Sequence, residues 1–458
     1  MKTPGDISSP NEMSAKRIWD RITTGMKFVI KDKKKLEEMV KELCYLNDSL
    51  HKLAPSLDQE SSRRQLRTRL HTTDIGQLRL LRDAAALLHH RDIEQMADTK
   101  FAIEEFYLTE MLDLETNPEL HEVSHGLQLN SARLKFHGVA SLVNQVRCLA
   151  TYNYRDGHEE IVLVDWRSCR NDEWRRTNPA AFQRRTENLA KILNKDLSSL
   201  KLNVLHCIGY TNQHKLTGYL FRPPSEAQAS QEPVNLHEIL SRTSKGVDIP
   251  SLGDRFELAK ALVSTVFEFH NLGWVHKNLQ SKNVLFWPES HVHGRQGQID
   301  IDFKKPYLLG FDISRPGAPA EESEKPMSNA EDDLYRHPAY KGLDPKPFIP
   351  PYDIYSLGLL LFEIGMWRVI SSQSARASRG SVKLNLSLTD PQFIRTVVSG
   401  PAMDLARYMG DGYRDAVMAC LSMEFDHIWH DSEDTQKMLT FQNFVQKKIV
   451  DPIAFCRA

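Results

Sequence analysis

An α+β chain with a sheet-bearing part, a helical part and a helical N-terminal lead is what this sequence predicts, on three observations. Arg147 to Tyr154 and Ile161 to Trp166 are β-rich runs separated by Arg155-Asp156-Gly157-His158, the outline of a β-hairpin. After that hairpin come a helical apolar pattern (Phe182, Leu189, Ile192, Leu193) and two further strand candidates, 204–210 and 217–221. The periodic segments beyond residue 252 (Leu252–Leu272, Tyr352–Met366, Asp404–Leu421, Thr440–Phe455) are mainly helical in spacing. Strands mixed with one helix, then helices, give two packed parts in sequence.

The composition fits such a chain and narrows its partners. Of 458 residues, 41% are hydrophobic, enough for two or three buried cores. The 59 Lys and Arg nearly cancel the 60 Asp and Glu, so no overall field favours nucleic acid or an anionic membrane. The apolar run Leu357 to Leu361 is far shorter than the roughly 20 residues of a membrane span. Met1 to Asp6 has no apolar signal core. The six cysteines (Cys44, Cys148, Cys169, Cys207, Cys420, Cys456) form no C-x-x-C pair and read as reduced thiols of a cytoplasmic protein.

Taken in order, residues 1–13 are polar and expected to be disordered. From Trp19 to Leu53 apolar residues recur in steps of three, four and seven (Ile22, Met26, Val29, Leu36, Met39, Leu43, Leu46, Leu50), which predicts one long helix over 14–55 closed by Pro55. Residues 56–120 are a helical connector: one helix opens at Asp74, with Gln77 as capping partner, and runs toward Met96, and another covers Phe101 to Leu114. Pro223 to Pro233 is a loop rich in Pro, Ser, Glu and Gln. An acidic insertion, 317–333, and a Ser/Arg-rich one, 371–379, interrupt the helical part.

The sharpest chemical content lies in Trp274-Val275-His276-Lys277-Asn278-Leu279-Gln280-Ser281-Lys282-Asn283. This stretch resembles the protein-kinase catalytic loop, whose Asp accepts the substrate proton and whose Asn holds magnesium. Asn283 is kept, but Asn278 stands at the base position, and an amide accepts no proton near neutral pH. Ile161 to Arg167 resembles the strand carrying the phosphate-binding Lys, with Arg167 at the Lys position and Glu187 on the next helix placed to pair with it. Arg keeps the charge but presents a wider planar fork. Where a glycine-rich loop would precede the hairpin, Asn130 to Gly138 offers one glycine, so backbone amides are not freed to approach phosphates. In Gly310-Phe311-Asp312 the acid and the glycine of Asp-Phe-Gly are exchanged, with Gly310 at the acid's position. Tyr335 to Tyr340 resembles the end of an activation segment. Asp353 to Gly358 resembles the helix whose Asp anchors the catalytic-loop backbone, and His276 is expected in that scaffold rather than as a base.

As an ordered set, residues 120–456 resemble the kinase-like domain of fungal HeLo-associated proteins, at Glu187-Asn188-Leu189-Ala190-Lys191, His276-Lys277-Asn278, Gly310-Phe311-Asp312-Ile313-Ser314 and Arg336-His337-Pro338. Trp19 to Leu53, with Asp32-Lys33-Lys34-Lys35-Leu36, resembles the last long helix of the HeLo (prion-inhibition and propagation) domain. The resemblance implies a bilobal protein-kinase-like fold, with a small lobe over 121–222 and a large lobe over 223–456. It implies a cytoplasmic, catalytically inactive scaffold, a pseudokinase, acting through other proteins in fungal self/non-self recognition or cell-death signalling. Self-association would run through the N-terminal helix. No catalytic residue and no cofactor are then expected. The alternative is an atypical ATP-dependent kinase in which Asn283 and Asp312 hold magnesium and Arg167, Glu187 and Asn283 hold the nucleotide.

Overall fold

A computed structural model describes residues 73–113, 125–137, 147–167, 179–197, 202–213, 216–225, 232–243, 249–288, 301–316, 332–341, 346–370, 401–422, 424–431 and 437–458, with isolated positions 41, 177 and 200. The helix expected over 14–55 (Lys41 apart), the acidic insertion up to residue 331, the Ser/Arg insertion and Gly138 lie outside the described residues. The fold is α+β.

Two helices come first. Helix α1 (Ile75–Leu87) starts as expected, since the Asp74 carboxylate accepts the Gln77 amide at 2.8 Å. It stops at His89, whose φ of 58° is left-handed. Helix α2 (Arg91–Asp113) then runs without a break through 97–100, where the sequence reading had placed a gap between two helices. Ala97-Asp98-Thr99-Lys100 contains no Pro or Gly, so nothing there interrupts the amide ladder. The two helices pack against each other as a hairpin.

Strands β1 (Leu134–Phe136), β2 (Arg147–Asn153) and β3 (Glu159–Arg167) precede helix α3 (Pro179–Leu193), and β4 (Cys207–Gln213) and β5 (Leu216–Phe221) follow it. The five form one antiparallel sheet in the order β1-β2-β3-β5-β4. Alternation divides its faces. Cys148, Ala150, Tyr152, Val162, Val164 and Trp166 pack on one side, while Leu149, Leu163, Tyr219 and Phe221 join the main core with α3 on the other. Residues of the second set share a face with Arg147 and Asp165.

The helical part comprises β6 (Val234–Asn235), α4 (Leu236–Thr243), α5 (Leu252–Asn271), β7 (Trp274–Val275), β8 (Val284–Phe286), β9 (Tyr307–Leu308), β10 (Arg315–Pro316), α6 (Pro350–Met366), α7 (Pro401–Met409), α8 (Asp411–Leu421), α9 (Glu424–Asp431), α10 (Lys437–Val445) and α11 (Asp451–Phe455). The single helix expected over 404–421 is two, because Gly410 adopts a φ of 81° between α7 and α8. Helix α6 is buried from Pro350 through Gly365, as befits a helix apolar on every side. A Cβ at Gly358 would lie 2.4 Å from Cβ of Cys420, and one at Gly365 2.3 Å from Cδ1 of Leu405, so these glycines admit α8 and α7 against α6. One hydrophobic core runs from Leu78 in α1 through both parts to Ile453. Cys148, Cys207 and Cys420 are buried free thiols and Cys456 is half-buried. Among the described residues no helix is long and apolar enough to cross a membrane.

Candidate functional site

The loop that follows β7 is held from below by a single carboxylate. Asp353, on α6 and fully buried, accepts the backbone N–H of His276 at 2.7 Å and of Lys277 at 2.8 Å. Its Oδ2 also lies 3.2 Å from Nε2 of His270 on α5. Lys277 needs this anchor, because a φ of 67° in a residue with a long side chain is strained by about 1–3 kcal/mol. Its buried ammonium lies 5.8 Å from the Tyr340 ring and 5.7 Å from the Phe348 ring, within cation–π range. The His276 ring is buried beside Phe311, with ring centroids 4.8 Å apart, and its Nδ1 accepts the Asn278 N–H at 3.2 Å. Burial lowers its pKa to about 4, so the ring is neutral near pH 7. It is part of the loop's support.

Beyond this anchor the loop meets the sheet. Nδ2 of Asn283 donates to the Asn278 carbonyl at 2.7 Å, and Gln280 donates to the Asn278 side-chain oxygen at 2.7 Å. Oδ1 of Asn283 accepts Nη2 of Arg147 at 2.6 Å. The same guanidinium donates from Nη1 to the Lys282 carbonyl at 2.8 Å and from Nε to Oδ1 of Asp165 at 2.8 Å. The other oxygen of Asp165 accepts the Gly310 N–H at 3.1 Å. One arginine on β2 thus engages its neighbour on β3 and two residues of the loop, with all three guanidinium nitrogens bonded. The pair is largely withdrawn from water, with side-chain exposures of 14% for Arg147 and 8% for Asp165, so it is screened far less than a surface ion pair. Gly310 adopts a φ of 84°, and a Cβ there would lie 2.4 Å from Nδ2 of Asn283. The amide of Asn283 fills the space above Gly310.

Asn278, Asn283 and Gly310, which the sequence singled out, are therefore brought together. Arg167 closes β3, and its side chain lies outside the described ones, as does that of Asp312 in the turn 311–313. Glu187 on α3 accepts the Tyr210 hydroxyl and Nε2 of Gln183, each at 2.9 Å, which ties α3 to β4. Sequence reasoning missed Arg147 and Asp165. A signal existed: each stands nine residues from Asp156 at the hairpin turn, so a symmetric hairpin makes them a cross-strand pair of opposite charge.

A second buried cluster lies beneath the loop. The Ser281 and Tyr335 hydroxyls are 2.8 Å apart, Tyr335 donates to Oε1 of Glu363 at 2.7 Å, and the Ile370 N–H donates to the same oxygen at 2.8 Å. Burial pushes the Glu363 carboxyl up to about 7, whereas burial lowers His276 to about 4 and His337 to about 3. The two effects oppose each other in pH. A raised Glu holds its proton in the folded state and releases it in the unfolded one, so its contribution is full below about 4.5 and is lost as pH rises to about 7. Depressed histidines bind protons only on unfolding, so their contribution grows with pH up to about 6.5. Glu363→Gln, which keeps a neutral acceptor, is expected to steepen the gain in stability between pH 4.5 and 6.5 measured by urea unfolding. An unchanged slope would mean that Glu363 titrates normally.

Comparison with known families now places the chain. Residues 9–81 match the HeLo family, described as prion-inhibition and propagation, a wider span than the 14–55 expected, reaching into α1. No curated protein matches the chain. A second family model covers residues 161–455, more than half of the sequence, from β3 through α11, and the chain accordingly belongs to the family described as a domain of unknown function, DUF7580.

Proposed function

We propose that this protein is a kinase-like scaffold without phosphotransfer chemistry, acting through contacts with other proteins. The observation that carries the reading is the Arg147 guanidinium bonded to both Asp165 and Asn283. On a kinase-like reading, with a small lobe over 121–222 and a large lobe over 223–456, Asn283 is the residue that would hold a metal and Asp165 faces Gly310 where the metal acid would stand. Arg147 bonds an oxygen of each, and the carboxylate contributed by β3 is opposite in sign to the phosphate-binding Lys of a kinase. Magnesium requires several oxygens in near-octahedral array, and the described donors do not suit it, because they are engaged by a fixed cation. The sheet with one helix, the helical part behind it and Asp353 on the loop amides support the kinase-like architecture. The HeLo match supports a role in fungal cell-death or incompatibility signalling; a cytoplasmic site of action is part of the proposal.

The test is a calorimetric titration of ATP into the full chain with and without magnesium, paired with a radiolabelled phosphotransfer assay. Neither heat nor labelled product is expected. Magnesium-dependent micromolar binding with turnover abolished by Asn283→Ala would sink the reading and establish the atypical kinase instead. Restoring the two acids is expected to fail as well. Asn278→Asp with Gly310→Asp should yield no phosphotransfer, and Gly310→Asp alone should destabilise the chain by about 1–3 kcal/mol through its left-handed φ, plus the displacement of Asn283. Melting temperatures of the two variants check this.

A further inference from the structure

The helical hairpin α1–α2 lies largely between the two matched regions, since the HeLo match ends at residue 81 inside α1 and the second match begins at 161 in β3. Helix α2 nevertheless grips both parts of the fold. Near its start, Nε2 of Gln95 donates to Oδ2 of Asp196 at 2.7 Å, and Asp98 pairs with Lys195. Both partners follow directly on the C-terminal end of α3. Asp98 also lies 3.6 Å from Nη1 of Arg82 on α1, so one carboxylate links both helices of the hairpin to the sheet part. About 12 Å further along the helix axis, at the 1.5 Å rise of an α-helix, the Phe106 ring packs 6.1 Å from the Trp274 ring. Between them, the buried Lys100 ammonium, paired with Glu104, lies 2.7 Å from where a Cβ on Gly273 would be. Trp274 and Val275 lead straight into the loop that ends at Asn283.

We propose that helix α2 is the strut through which the HeLo-matching region, which ends inside α1, is coupled to the Arg147–Asn283 contact. The physical reason is that two ties cross one junction. Gln95 and Asp98 fix α2 to the sheet part, and Phe106 fixes it to the helical part. A tilt of α2 about its Phe106 grip carries the Gln95–Asp98 grip with it and so moves the sheet part against the helical part. That movement is opposed by the Arg147 guanidinium, which joins β2 and β3 to Lys282 and Asn283. A change in the HeLo region that pulls on α1 would therefore be felt at the loop, and by reciprocity a change at the loop would be felt at α2.

Hydrogen–deuterium exchange on the full chain tests this. Gln95→Ala with Asp98→Ala removes the polar grip, Phe106→Ala removes the aromatic one, and Leu87→Ala, at an exposed site (70%), serves as control. Each grip variant is expected to raise exchange about tenfold in peptides covering 147–153 and 274–286, the equivalent of roughly 1.4 kcal/mol of opening free energy. The control should leave them unchanged, and Arg147→Ala should raise exchange within 91–113. Faster exchange confined to 75–113 in the grip variants would overturn the proposal. If Phe106→Ala loosens α6 as well, the polar double variant decides, since its side chains lie at the protein surface. Nucleotide plays no part in this measurement, so its outcome is separate from that of the inactive-scaffold reading.

Discussion

Chains carrying Arg147→Ala are expected to lose about 3–5 kcal/mol of stability, the usual consequence of removing one partner of a buried ion pair. The carboxylate of Asp165 would keep the Gly310 N–H but lose its cation, while the Lys282 carbonyl and the Asn283 side-chain oxygen would lose their donor. Urea unfolding of the full chain reads the loss as a lower midpoint at unchanged slope. Arg147→Lys separates charge from geometry. An ammonium cannot reproduce three nitrogens aimed at three separate acceptors, so Lys should recover only part of the loss. Adding Asp165→Ala to Arg147→Ala should cost less than the sum of the two single changes, because the double variant no longer buries an unpaired charge. Strict additivity would mean that the pair does not interact, and an unchanged midpoint for Arg147→Ala would remove the contact from any account of this site.

Asp353→Ala should be as damaging. Two loop amides, those of His276 and Lys277, would be left buried without their acceptor, at about 1–3 kcal/mol each. The left-handed conformation of Lys277 would also lose the group that holds it. A total of about 2–6 kcal/mol from the two amides is comparable with the whole stability of many domains, so the variant should be recovered as soluble protein in much lower yield. Asp353→Asn keeps one oxygen acceptor and should be milder. If both variants melt like the parent, Asp353 does not hold the loop.

What the sequence made legible follows from how local each signal is. The Asp74 cap, the hairpin between β2 and β3, and helices α3, α5 and α6 are written in neighbouring residues, and the structure has them where the periodicity puts them. The end of α1 at His89 carries no comparable mark, since histidine is not a breaker, whereas Gly410 was a visible stop within 404–421. At the site, Asp353 and the loop it supports could be matched by motif. The hairpin could have paired Arg147 with Asp165, but nothing local says that this pair reaches Asn283, 136 residues further along the chain. Contacts of that kind are set by how two parts meet. Strand alternation alone does not choose between Arg167 and Asp165 as the β3 residue that faces the loop, because the two stand two residues apart and share a parity.

The all-round burial of α6 also constrains how the chain is made. Residues 350–366 leave the ribosome well before α7 and α8, which cover them through Gly365, Gly358 and the Tyr413 hydroxyl on the Leu361 carbonyl at 2.7 Å. At about 5–20 residues per second, the 55 residues from Met366 to Leu421 take roughly 3–11 s to synthesise. For that interval the face of α6 that α7 and α8 cover is bare, although α5 and the loop before α6 already pack on its other side, and a nascent chain that stalls or terminates there presents the kind of surface that chaperones and proteases recognise. Quality control of this protein is thus expected to turn on whether residues 401–421 arrive, and premature stops just before them should leave little steady-state product.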